Sequence, residues 1–75
     1  DEKPLSNEQK EKIAEIDSKY KAKIAERKIF LEKGLQDAIA QQMHEKAEEA
    51  RHLLSKEISS LESKAEAEKD KIRKS

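Results

Sequence analysis

Arg27-Lys28-Ile29-Phe30-Leu31-Glu32-Lys33-Gly34-Leu35 sets the only glycine of the chain three residues behind a run of three consecutive large apolar side chains. Neighbours on consecutive positions are about 100° apart on a helix, so Ile29, Phe30 and Leu31 cannot share one buried face. A glycine just past the last helical residue is a common way to end a helix, because Gly takes left-handed backbone at little steric cost. The only proline is Pro4, so nothing else in the interior breaks a helix. The stretch predicts a reversal around Gly34, between a helix over about 6–33 and a helix over about 36–73.

Working outward, one apolar stripe runs through both arms. Ile13, Ile16, Tyr20, Ile24, Leu31, Leu35, Ile39, Met43, Ala47, Ala50, Leu54, Ile58, Leu61, Ala65 and Ile72 succeed one another mostly at steps of three and four. Almost everything else is charged, polar or alanine, the pattern of an amphipathic helix. Arg27 and Lys69 interrupt the stripe. From Arg27 to Ala47 the steps are all of four, and each turns the stripe by about 40°. The first-half stripe thus ends nearly opposite the second-half stripe. A straight partner cannot cover both, whereas a fold-back can. The expected fold is all-α: an antiparallel two-helix hairpin, coiled-coil-like, self-associating into a four-helix bundle. The alternative is one unbroken coiled-coil helix of about 100 Å.

End signals fit this division. Asp1–Leu5 reads as a lead-in, and Ser6 with Gln9 forms a capping box. Lys69, Lys71, Arg73 and Lys74 supply the positive charge favoured at a helix C-terminus. After Gly34 the nearest N-cap candidate is Asp37.

Seventeen basic and 17 acidic side chains cancel over 75 residues, but unevenly. Residues 10–28 carry seven basic and four acidic groups; residues 35–68 carry four basic and eight acidic. Folded antiparallel, a basic arm meets an acidic one, which sets orientation more than stability. Leu, Ile, Val and Phe are only 14 of 75 residues, too few for a spherical core. Ala, Glu, Lys, Leu and Arg make up 45, the composition of long helices, and the charge balance is unlike that of disordered chains. One module, 1–75, is expected, soluble and cytoplasmic by default. Without Cys, disulfides and thiolate chemistry are excluded. No run reaches the ~20 apolar residues of a membrane span.

Candidate chemistry is sparse. His44, Glu48 and His52 lie four apart, yet the three fan over about 80°, too wide for one metal ion. The many carboxylates alternate with lysine on open faces, without the burial or enclosed like charges that acid–base catalysis needs. No phosphate loop or nucleophile motif occurs. No catalytic residue, metal or cofactor is expected. The Ala, Glu and Lys alternation in Glu45–Arg51 and Ala65–Arg73 is similar to coiled-coil helices in general, such as stator stalks, and carries no family motif.

The stripe is first of all an assembly surface. The expected function is a non-enzymatic protein-interaction module acting through helix packing, either on itself or on another helix. Ile29 and Phe30, off the stripe at the expected tip, are a candidate exposed site for a partner. An alternative is RNA or DNA binding by Lys19, Lys21, Lys23, Arg27 and Lys28; the neutral total and scarce aromatics disfavour it. Membrane-surface binding is disfavoured because the second half is acidic. A second alternative is a stalk or spacer segment of a longer protein.

Overall fold

The capping box opens the first helix in the computed structural model, which describes residues 4–75. The Gln9 backbone N–H donates to Ser6 Oγ at 3.1 Å, and the Ser6 N–H donates back to Gln9 Oε1 at 2.9 Å. Both satisfy donors that a helix start leaves orphaned. Asp1–Lys3, part of the expected lead-in, lie outside the described residues. From here α1 runs over Asn7–Ala40, and α2 runs over His44–Lys74. The two pack against each other as an antiparallel hairpin measuring 55 × 19 × 13 Å.

The reversal is not at Gly34. The helix passes straight through that residue, and the chain turns at Gln41–Met43. The Met43 N–H reaches Ala38 O at 2.8 Å and the Gln42 N–H reaches Ile39 O at 3.0 Å. These are the two bonds of a Schellman motif, with Gln42 at φ 57° in the place usually taken by glycine. Arm length explains the location. A turn at Gly34 would leave roughly ten residues of the second arm, ~15 Å, without a partner. Turning at Gln42 gives helices of 34 and 31 residues, so nearly all of each stripe is covered. Asp37, the expected cap of a second helix, stays inside α1, and α2 starts at Met43 without a side-chain cap.

The shift in turn also corrects the stripe. Along α1 the side chains between the helices are Ile13, Ile16, Tyr20, Ile24, Arg27, Leu31, Leu35 and Ala38. The final step of three, from Leu35 to Ala38, undoes the drift that a step to Ile39 would have added. Ile39 and Met43 consequently stand exposed rather than in the seam. Along α2 the seam is Ala47, Ala50, Leu54, Ile58, Leu61, Ala65 and Ile72, as expected. Tyr20, Leu31, Ala38, Ala47 and Ala65 are buried, and the other seam residues are half-buried. Three of the five buried side chains are alanines, so the helices approach closely but enclose little apolar volume.

Candidate interaction surface

The interruptions of the stripe are where the helices are pinned. Arg27 donates to Glu57 through Nε at 3.1 Å and Nη2 at 2.8 and 3.0 Å, a bidentate grip across the seam. Lys69 places Nζ 2.7 Å from Asp17 Oδ1 and 3.0 Å from Glu66, with only 13% of its side chain exposed. Between these, the Tyr20 hydroxyl donates to Glu68, whose other oxygen lies 3.5 Å from Lys19 Nζ. At the open end Gln9 Nε2 donates to Ile72 O at 3.0 Å and Ser75 O at 3.3 Å, tying the start of α1 to the last turn of α2.

These bonds shift proton affinities. The Lys69 hydrogen bond holds Asp17 and Glu66 below the ordinary carboxylate range, and Lys69 is raised in return, chiefly by Asp17. The Tyr20 hydroxyl lowers Glu68, with Lys19 adding to it, and Glu68 pushes Tyr20 up. The Arg73 guanidinium is raised by Asp70.

The pins divide the hairpin into two broad faces. Tyr20 is flanked by Lys19 and Lys23, each 5.2 Å from its ring centroid, on the side of Glu68 and Glu57. Lys21 lies on the opposite side, lining a shallow open depression with Asp17, Glu62, Glu66 and Lys69. Lys28, seven residues beyond Lys21, shares that opposite side. Lys19, Lys21, Lys23, Arg27 and Lys28 therefore do not form one face, and Arg27 is already engaged by Glu57. Among the described residues no three side chains of His, Cys, Asp or Glu converge as metal ligands, and no helix is long and apolar enough to cross a membrane.

The halves of the hairpin differ in finish. Ion pairs crowd the half near the open end. The large exposed apolar side chains among the described residues all lie in the half near the reversal: Ile29 71%, Phe30 67%, Ile39 46%, Leu53 46% and Met43 38% exposed. Ile29 and Phe30 are thus exposed, but they sit about 18 Å back from the turn, not at its tip. Phe30 and Ile39 are nine residues apart, half a turn out of phase, so they stand on opposite faces. Phe30 has Arg27 5.3 Å from its ring centroid, and Leu53 is one helical turn before Glu57, so the Arg27–Glu57 pair joins these two on one face. Sequence reasoning missed Leu53, whose neighbour Leu54 takes the stripe position. No family model, curated protein or solved structure matches the chain.

Proposed function

We propose that this chain is a non-enzymatic helical interaction module whose reversal-end half docks by helix packing on a partner helix, a second copy included. The exposure of Ile29, Ile39 and Met43 next to a seam of alanines carries this reading. Isolated apolar side chains on a surface are ordinary, but large ones gathered in one half of so small a molecule mark a contact area. The seam is occupied within the hairpin, so docking falls to these outer side chains rather than to the stripe first expected to serve it. Four-helix assembly is one form such docking takes.

Sedimentation velocity over a concentration series, with circular dichroism in parallel, tests the reading. Ile39→Asp with Met43→Asp should reduce association and leave helicity intact. Ile24→Asp, placed in the seam, should lower helicity itself. Association that is absent, or equally strong in the Ile39/Met43 variant, would remove the docking role from these side chains.

A further inference from the structure

Charge is spread along nearly the whole chain and is missing from one place. Basic and acidic side chains number 17 each among 75 residues, yet residues 34–44 hold only one of them, Asp37. Asp37 is two residues before Ile39, about 160° round the helix, so it stands on the other side. Ile39, Met43 and the exposed amides of Gln36, Gln41 and Gln42 thus make an uncharged end on a highly charged molecule. Depletion of charge, more than apolar content alone, marks the core of protein interfaces. The border of this end is balanced. Glu32, seven residues before Ile39, follows Lys28 by one turn, and on α2 Glu48 and Arg51 pair with each other at 2.8 Å.

We infer that the reversal ends of two copies of this chain dock on each other about a two-fold axis, with the hairpins directed apart. The inference rests on the docking role proposed above and names its occupant. A second copy brings the same charges, so a neutral patch meets itself without repulsion. A charged partner finds nothing there to select it. The shape is self-complementary as well. Leu35 and Ile39 are successive members of the four-residue ridge that starts at Arg27 and climbs out of the seam at the end of α1, Leu35 half-buried and Ile39 46% exposed. Two such ridges interlock when their helices cross at about −50°, the commonest class of helix packing. Lys28 and Lys21, seven and fourteen residues before Leu35, set the direction, because they continue along the same ribbon. Two α1 helices docked in the same direction would bring these lysine ribbons together, whereas opposed directions separate them. The glutamine amides each donate and accept, so identical ones can bond one another across the axis. The contact involves few side chains per copy, so the association is weak.

The chain has no cysteine, so a spin label can be placed at one site per copy. Lys33→Cys carries it on α1 near the reversal and Lys12→Cys near the open end, both at exposed positions. Distances between copies are read by double electron–electron resonance, at concentrations where sedimentation shows association. Labels at residue 33 should lie within about 35 Å of each other, and labels at residue 12 about 70 Å apart, from the helical rise and the crossing angle. Association should change less than about twofold between roughly 0.1 and 1 M salt, because no ion pair holds the patch. Ile39→Asp with Met43→Asp should lose both the association and the short distance while circular dichroism stays unchanged. If that variant loses association but the wild-type labels at residue 12 also lie within about 35 Å, the docking role stands and this arrangement is overturned in favour of a side-by-side bundle. A loss of about tenfold or more in salt would overturn the charge-free contact. No association at millimolar concentration would overturn the second copy as occupant and the docking role together.

Discussion

Arg27 and Glu57 meet across the seam through two guanidinium nitrogens, at 2.8–3.1 Å, at a point where the stripe of α1 lacks an apolar residue. A half-buried ion pair contributes little net stability, because desolvation offsets its Coulomb energy. It does fix which residues oppose each other. Arg27→Leu with Glu57→Leu should raise stability by about 1 kcal/mol in a urea melt. The same variant should also broaden the association states seen by sedimentation, since the polar marker of alignment is gone. An unchanged association profile would deny Arg27 and Glu57 that aligning role.

Gly34 sits mid-helix with open space where a Cβ would lie. Gly34→Ala should therefore stabilise the hairpin by about 0.5–1 kcal/mol, by removing backbone freedom from the unfolded chain. A chain that reversed at Gly34 through left-handed backbone would respond in the opposite sense. Thermal unfolding of this one variant separates the two geometries.

Gln42 holds φ at 57° inside the reversal. Left-handed backbone costs a side-chain-bearing residue about 1 kcal/mol. Gln42→Gly should recover about that amount, measured by denaturant unfolding, while Gln42→Val should lose stability and loosen the turn. If glycine proves no better than glutamine here, the Schellman closure is not the conformation in solution.

Asp17, Glu66 and Glu68 are held below their ordinary values of 3.8, 4.5 and 4.5 by hydrogen bonds from Lys69 and Tyr20. A depressed carboxylate stabilises the fold above its unfolded pKa, and the contribution fades as pH falls through the folded one. Asp17→Asn should melt below the wild type at neutral pH, and the gap should close below about pH 4. Lys69 and Tyr20 are raised from 10.5 and 10.0, so their contributions hold below those values and are lost as pH rises further. A gap that persists unchanged in acid would show that Asp17 acts through shape rather than charge.

The all-α hairpin, the capping box at Ser6 and Gln9, and the seam from Ile13 to Leu35 follow from periodicity and local chemistry. Gln42 is not legible as the turn residue, because a glutamine in left-handed backbone has no local signature. The location of the turn depends on matching two arm lengths, a tertiary condition. The stripe's four-residue steps point to Ile39 rather than Ala38 for the same reason, since only the finished reversal decides which of two neighbours faces inward. Arg27 and Lys69 looked like faults in a stripe, and one arm alone cannot reveal that Glu57 and Asp17 stand opposite them. The exposure of Ile29 and Phe30 was legible because consecutive apolar residues exceed what one helix face can hide.

Gln9 has a mechanical consequence. It bonds Ile72 and Ser75 at the end where both termini of the described chain emerge. Tension applied between those termini pulls across the helix axes, so it loads the Gln9 bonds first, then Asp17–Lys69 and Tyr20–Glu68, then Arg27–Glu57. Each link breaks in turn, as in a zipper, and none shares its load with the next. A hairpin built this way yields to small forces and recloses from its reversal at Gln41–Met43.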